Sequence, residues 1–325
     1  MSTMFKYSSI LLLFFLIIFE RQALAQQLPQ FSQYMFNELH INPGYAGYRQ
    51  EGYIQATYRK QWGNFPGAPE TFSFSGDFSA NEGKMGLGVL LLGDKIGATR
   101  TIGGLLNYAY HIQLGSESHL GLGVSAGAYQ YSIDTDLLEP NEENDILILE
   151  GDFNVLAPNL NSGLFFHSTD FYAGISAYNM IGKNLLKKRE VELDYHDIHF
   201  YFTMGGMVYL SNEVQLKPSI LVKEVKGAPT NYDLNLMVLF YEKVWLGGSY
   251  RSNVKWWKSN LDKNLSSRNA FALIAEIFAT DNLRVGYSYD YNLNALRDFR
   301  SNSHEFSVGY YISDKRERME NKRRF

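Results

Sequence analysis

The most specific chemical pattern in the sequence is Gly-Val-Ser-Ala-Gly at 123–127, which matches the G-x-S-x-G pattern of hydrolases with a nucleophilic serine. In those enzymes the serine lies on a strained turn between a strand and a helix. Ser125 instead lies within a regularly alternating stretch whose neighbours on the same side are small. We therefore interpret Ser125 as an inward-facing packing position, predict no catalytic residue, and expect the protein not to be an enzyme.

Six histidines of the sequence are candidate metal ligands or general bases. None of them shows the compact ligand spacing of a metal site, and His196 and His199 are predicted to face opposite sides where a loop enters a strand. We expect polar structural positions, with no metal and no cofactor. The histidines considered are His111, His119, His167, His196, His199 and His304.

Residues 134–152 carry eight acidic side chains around an apolar run at 146–149. Oxygen ligands at this density could hold Ca²⁺, although the spacing of an EF-hand loop is absent. An apolar run is unfavourable in water alone, so the stretch either folds back over the protein or contacts a partner. A simple solvated loop is an equally good interpretation, and the sequence leaves these alternatives open.

Trp256 and Trp257 lie between Lys255 and Lys258 in a stretch without strand alternation. Two adjacent tryptophans flanked by lysines are typical of a belt at a membrane interface and also of a binding hot spot. We keep both interpretations.

The elements that must position these residues are strands. In 99–113 and 119–133, apolar residues on one parity alternate with small or polar residues on the other, and the turn at 115–118 joins the two stretches. Fourteen such segments are predicted along the chain. They are 52–60, 71–78, 85–92, 99–113, 119–133, 158–166, 171–178, 199–210, 214–225, 232–240, 244–251, 270–278, 283–291 and 304–312.

The connections distinguish a membrane barrel from a soluble sandwich. Every second connection is short, and those between are mostly long, as in outer-membrane barrels with periplasmic turns and surface loops. The sequence therefore predicts an all-β fold, a transmembrane antiparallel β-barrel of about fourteen strands. An even number of strands places both termini in the periplasm.

Composition agrees with an exported barrel. The 325 residues include 23 Tyr and 22 Phe, numbers that aromatic girdles at two membrane interfaces would explain. The absence of Cys excludes a disulfide framework, and a net charge of −4 argues against nucleic acid as a partner. Residues 1–25 have the charged flank, apolar core and Ala-Leu-Ala end of a signal peptide.

Four regions are predicted: the signal peptide at 1–25, a plug-like segment at 26–50, the barrel at 51–313 and a basic tail at 314–325. The segment is too aromatic for an idle leader, and Asn42 and Pro43 fix a turn in it. It either plugs the lumen or binds a partner. The residues of interest in it are Phe31, Tyr34, Met35, Phe36, Asn42 and Pro43. The tail is either a solvated extension or a docking site for a periplasmic partner.

A series of motifs begins with PQFSQYMFNELHINPGYAG at 29–47 and continues with Gln-Trp at 61–62, Gly-Ala-Pro at 67–69 and Asp-Lys-Ile-Gly at 94–97. The series resembles the PorP/SprF family of type IX secretion system membrane proteins from the Bacteroidetes. The first string is specific, whereas the later matches are individually weak. The resemblance covers the chain from residue 29 to about residue 312.

The resemblance implies an outer-membrane barrel that works with the type IX machinery. Family members support export or surface anchoring of a large cargo protein, often an adhesin of gliding motility, that carries a C-terminal type IX secretion domain. Some also connect to a periplasmic peptidoglycan-binding lipoprotein. The alternative function is a channel for small hydrophobic or hydrophilic solutes, and a removable plug would favour it, whereas a fixed seal would favour anchoring.

Overall fold

The computed structural model describes residues 28–63, 65–137, 153–181, 197–254, 270–293 and 302–312. These residues form strands joined in one antiparallel sheet. The strands are β1 (Tyr53–Lys60), β2 (Glu70–Ala80), β3 (Met85–Ile96), β4 (Thr99–Gln113), β5 (His119–Ile133), β6 (Phe153–His167), β7 (Phe171–Tyr178), β8 (His199–Gly206), β9 (Val208–Tyr209), β10 (Val214–Val225), β11 (Thr230–Phe240), β12 (Val244–Val254), β13 (Ala270–Phe278), β14 (Leu283–Asn292) and β15 (Ser303–Tyr311).

The sheet closes on itself. Strands that are neighbours in sequence pair with each other, except that β8 and β9 both pair with β10, and β1 pairs with β15 from Tyr53↔Tyr311 to Lys60↔His304. The two-residue strand β9 continues β8 along the same edge of β10. Counted together, β8 and β9 form one strand of the wall, which therefore has fourteen strands. The predicted closed antiparallel barrel of fourteen strands is thus confirmed. Closure leaves no unpaired edge at the first and last strands.

The break between β8 and β9 has a local cause. The register that pairs Ser219 with Gly205 also pairs Leu216 with Val208, so no residue is inserted at the break. Pro218 stands opposite Gly206 in this register and carries no backbone N–H, which interrupts the ladder at that point. The sequence predicted one continuous strand here because the alternation itself continues through the break.

Side chains alternate between an apolar outer face and a polar inner face. Leu106 is 72% exposed on the outside of β4, whereas its neighbour Asn107 is buried in the interior. A band of this kind matches a lipid-facing surface, since strands need about 9–11 residues to cross a membrane. Large outward side chains include Ile102, Tyr108, Leu122, Phe202, Leu234, Leu273 and Phe306. Among the described residues, no helix has the length and apolar character needed to cross a membrane.

Apart from the break between β8 and β9, two predicted strand bounds differ from the structure by four residues or more. Strand β6 begins at Phe153, where the sequence suggested a start at Pro158, and Pro158 is tolerated because this part of β6 extends beyond the end of β7. Strand β3 continues to Ile96 through Asp94, which the sequence placed in a loop. Asp94 faces inward and accepts a hydrogen bond of 2.6 Å from the Thr71 hydroxyl, and this partner offsets the low strand propensity of Asp.

The two ends of the barrel differ. Short turns, such as 81–84 and 241–243, join the strands at one end. The first residue of β1, Tyr53, and the last residue of β15, Tyr311, lie at the same end. We call this the turn end. Most of the long connections lie at the opposite end, which we call the loop end.

Candidate functional site: the lumen segment

Residues 28–52 lie inside the barrel, and we call them the lumen segment. Leu28 and Pro29 lie beside Tyr178, His199 and Val225, which are wall residues at the loop end. At the other extreme, the Gly52 carbonyl accepts a hydrogen bond of 2.7 Å from the Ile312 N–H at the turn end. The segment therefore runs the length of the lumen from the loop end to the turn end.

Three short 3-10 helices, at Tyr34–Phe36, Glu38–His40 and Pro43–Tyr45, fold the segment compactly. Asn37 and Asn42 cap the second and third, with their side chains accepting from Leu39 N–H and Gly44 N–H. Pro43 stands at the first position of its helix, where no N–H is needed. Local capping thus fixes the shape that the barrel encloses.

One side of the segment rests on glycines of the wall. The turn at Asn42 and Gly44 packs against Gly121 and Gly123 of β5 and Gly163 of β6. A Cβ atom at any of the three wall glycines would lie closer than 3.0 Å to this turn, a distance that real Cβ atoms essentially never show. The Asn42 amide also donates to the Leu164 carbonyl at 2.9 Å. Only glycine lets the segment approach the strand backbone this closely.

The opposite side is held by buried charges at the seam between the first and last strands. The N–H groups of Ser32 and Gln33 donate to the two carboxylate oxygens of Glu305 at 2.7 and 2.9 Å. Arg59 of β1 pairs with Asp290 of β14 at 2.6 Å and with Glu305 of β15 at 3.0 Å. The Ser32 hydroxyl completes the cluster by donating to Asp290 at 2.7 Å. The segment therefore joins the strands that close the barrel.

Basic side chains bind segment carbonyls closer to the turn end. Lys217 of β10 donates to the Met35 carbonyl at 2.7 Å, and Arg49 of the segment donates to the Phe36 carbonyl. The Arg49 guanidinium also lies 4.1 Å from the centre of the Tyr53 ring. Carbonyl oxygens and aromatic faces are among the groups that bind these buried cations, and these contacts fix the chain path in the middle of the segment.

The six segment residues singled out from the sequence are all buried inside the barrel. Phe36 packs against Trp245 of β12 with ring centres 5.8 Å apart, and the Tyr34 hydroxyl accepts a hydrogen bond from Asn235 of β11. Phe31, Met35 and Pro43 also lie against the wall or the rest of the segment. Trp256, Trp257, the tail and residues 138–152 of the acidic stretch lie outside the described residues.

Ser125 does not lie on a nucleophile turn. It is buried within β5, pairs with Asn107 and Asn161 of the neighbouring strands, and accepts a hydrogen bond of 2.8 Å from the Asn161 amide. This is the inward packing position that the alternation predicted.

Three of the histidines come together, which their spacing did not reveal. The His119 and His167 rings stack with centres 5.2 Å apart, and the His111 ring centre lies 6.1 Å from that of His167. His111 Nε2 donates to the Ala46 carbonyl of the lumen segment at 2.8 Å. Within the part of the chain described, no group of three or more His, Cys, Asp or Glu residues is placed to hold a metal ion.

The family model described as type IX secretion system membrane protein PorP/SprF matches residues 23–310. The chain belongs to this family. The match spans both the lumen segment and the barrel wall, so the PorP/SprF fold includes the two parts described above. None of the curated protein sequences matches this chain.

Solved structures with a similar fold are outer-membrane barrels. The CymD monoaromatic hydrocarbon channel superposes with a TM-score of 0.52 at 9% identity, covering 86% of this chain and 93% of that chain. A Pseudomonas aeruginosa FadL homologue has a TM-score of 0.47 at 9% identity, with coverages of 88% and 95%. Omp33 of Acinetobacter baumannii has a TM-score of 0.45 at 10% identity, with coverages of 81% and 98%. At these identities the likeness to CymD concerns the fold alone. This PorP/SprF protein is therefore an outer-membrane β-barrel.

Sequence reasoning missed the residues that hold the segment. Arg59, Asp290 and Glu305 are charged residues on the inward parity of their strands, which is a detectable signal, but nothing local indicates that they share one cluster. Gly121, Gly123 and Gly163 are likewise visible as glycines in strand interiors, where a close backbone approach is a common cause.

Proposed function

We propose that this PorP/SprF protein is a non-enzymatic partner of one large secreted cargo protein of the type IX system, such as an adhesin of gliding motility. The barrel supports export of the cargo or retains it at the cell surface by binding its C-terminal secretion domain. Family membership supports the secretion role. The observation that carries the anchoring role is the lumen segment, which is fixed to the wall on both sides.

A fixed segment favours anchoring over solute transport. A channel for small solutes requires the segment to leave or to open, and leaving would strand Arg59, Asp290 and Glu305 without the Ser32 and Gln33 groups that bind them. Breaking each hydrogen bond to a buried charge costs about 1.5–3 kcal/mol. The free-energy cost of releasing the segment is therefore large. Phe31, Tyr34, Met35, Phe36, Asn42 and Pro43 would then act in sealing the barrel.

We further propose that the turn end faces the periplasm and the loop end faces the cell surface, as in other outer-membrane barrels. The basic tail then leaves on the periplasmic side, where a peptidoglycan-binding lipoprotein or another secretion component would bind. For the amino terminus this differs from the expectation of two periplasmic termini, because the lumen segment crosses the barrel once more. Leu28 would face the cell surface.

The test is to tag the protein in its native membrane, cross-link gently, purify in detergent and identify bound proteins by mass spectrometry. We expect one very large secreted protein joined through its C-terminal domain. In a deletion strain, surface display of that protein should be lost while general secretion continues, and the intact gene should restore display. Recovery of the barrel alone, with display of all large cargo unchanged in the deletion strain, would overturn the proposal.

A further inference from the structure

A cavity of about 60 Å³ lies between the start of the lumen segment and the wall near the loop end. Its walls are mainly apolar and aromatic, and they include Phe31, Tyr178, Leu221 and Val225. Leu28 and Glu224 on its border are only half-buried, so the cavity is reached from the loop end. The mechanism of sealing described above does not require this space.

The cavity also carries an unsatisfied hydrogen-bond acceptor. His199 is 4% exposed, and its Nδ1 lies 2.8 Å from the Asp197 carbonyl, an arrangement that requires a proton on Nδ1. In the neutral ring the Nε2 atom is then an acceptor, and it is buried without a hydrogen-bond partner. The Nε2 atom of His40, which also lines the cavity, is likewise buried without a hydrogen-bond partner. A buried polar atom without a partner is destabilising, and a ligand that donates a hydrogen bond would relieve the cost.

The size of the cavity limits the ligand. A cavity needs roughly 10–15 Å³ on this measure to hold one water, and an apolar cavity that binds benzene measures about 150 Å³. The space beside His199 therefore suits about four or five non-hydrogen atoms and is too small for an aromatic ring. A branched aliphatic side chain has this size, and the peptide N–H next to it supplies the missing donor.

We infer that this cavity, which we call the mouth cavity, is a docking site for an aliphatic side chain on an extended peptide of the secreted cargo. The side chain packs among Phe31, Tyr178, Leu221 and Val225, and a peptide N–H of the same segment donates to His199 Nε2. The inference rests on the proposed function, since it names the contact through which the cargo would be held.

The direct test uses the full-length protein in lipid nanodiscs and N-acetyl-leucine N-methylamide as the probe, followed by saturation-transfer NMR against empty nanodiscs. We expect saturation of the leucine methyl groups. The matched glycine probe lacks the side chain and the phenylalanine probe exceeds the cavity, so neither should be saturated. Equal saturation of the glycine probe, or none of the leucine probe, would overturn the inference. So would binding of 3-methylbutanol without binding of the peptide probe, because the site would then serve free small molecules.

Three variants test whether the probe binds in the mouth cavity. Val225→Phe adds a ring to the cavity wall and should abolish saturation, whereas Leu234→Phe adds the same ring on the lipid face and should not change it. His199→Phe keeps a ring but removes the acceptor, and it should weaken binding by about fivefold, as expected for one neutral hydrogen bond. Heat-modifiable migration in gels establishes that each variant is folded. Unchanged binding to folded Val225→Phe would contradict the inference.

Cargo display separates this inference from the proposed function. In cells that contain folded Val225→Phe, surface display of the cargo should fall at least tenfold, whereas cells with Leu234→Phe should match the wild type. If Val225→Phe supports full display while the deletion strain shows none, the mouth cavity is not the docking site and the proposed function stands. If the deletion strain keeps full display, the proposed function itself is wrong.

Discussion

Arg59 and Lys60 are adjacent residues of β1, but their ion pairs are of different kinds. Arg59 binds Asp290 and Glu305 in a cluster where all three side chains are almost completely buried. Lys60 pairs with Glu70 at 3.0 Å, and both side chains are more than 40% exposed. Burial strengthens the electrostatic interaction and removes water as an alternative partner, so the two positions should respond differently to the same substitution.

Arg59→Gln should reduce the free energy of unfolding by about 3–5 kcal/mol, because it removes the cation that binds the buried Glu305 carboxylate and leaves Asp290 with only the more distant Arg251, at 3.8 Å. Lys60→Gln should change stability little, since solvent screens its pair. Denaturant unfolding of both variants in the same detergent measures the difference. Equal stability of the two variants would show that the buried cluster does not hold the segment.

Gly123 and Gly93 provide a second comparison at the level of single residues. A Cβ atom at Gly123 would overlap the Gly44 backbone of the lumen segment, whereas nothing lies within 4 Å of a Cβ atom at Gly93. Gly123→Ala should therefore lower the stability of the folded barrel by about 1–3 kcal/mol, the cost of overpacking. Gly93→Ala should leave the heat-modifiable migration in gels and the midpoint of denaturant unfolding near those of the wild type. If Gly123→Ala left the stability unchanged, the lumen segment would not pack against β5.

At the level of elements, the lumen segment behaves as one further passage through the barrel. It begins beside the loop end, ends at Gly52 beside the turn end, and contacts strands on both sides of the lumen. The wall strands alternate in direction, so the side on which residue 28 emerges depends on the segment and not on the number of strands.

Because the chain contains no Cys, single cysteines can report this path. In intact cells that lack the cargo, so that the mouth cavity is empty, Leu28→Cys and Lys226→Cys, both at the loop end, should react with a large impermeant maleimide. Ser116→Cys lies in the turn between β4 and β5 and should react only after the outer membrane is permeabilised. If Leu28→Cys instead followed the pattern of Ser116→Cys, the segment would run in the opposite direction. Reversal of both controls would invert the proposed orientation of the barrel.

At the level of the whole molecule, the barrel encloses a packed interior. One apolar cluster includes segment residues such as Phe36, Leu39 and Tyr45 together with wall residues such as Phe165 and Trp245. Barrels with water-filled lumens have no such cluster, because their inner faces contact solvent. The interior of this protein is thus packed with side chains, apolar in this cluster and polar along much of the wall, and it is surrounded by a lipid-facing surface.

This packing predicts that the barrel does not conduct ions. Purified full-length protein added to a planar lipid bilayer should give no conductance steps, because the side chains of residues 28–52 occupy the path of ions. An open porin added to the same bilayer serves as the positive control. Stable steps from the full-length protein would favour the channel alternative over the anchor.

The sequence by itself determined the wall. Strand alternation, short turns and the order of neighbours are local properties. The period of two in the sequence predicts that Leu106 faces outward and Asn107 faces inward. Where the sequence misplaced a bound, as at Pro158 and Asp94, pairing with β5 or a hydrogen bond from the Thr71 hydroxyl outweighed local propensity. The aromatic segment at 26–50 was recognisable as a candidate plug, but its path was not.

Only the tertiary structure decided how the segment is held and where it begins. Ser32 and Glu305 are separated by 273 positions, and no periodicity relates residues so far apart. His111, His119 and His167 meet for the same reason, since the barrel register and not their spacing places them together. Contacts of this kind form only when the sheet closes around the segment, because closure brings the first and last strands to the same buried site.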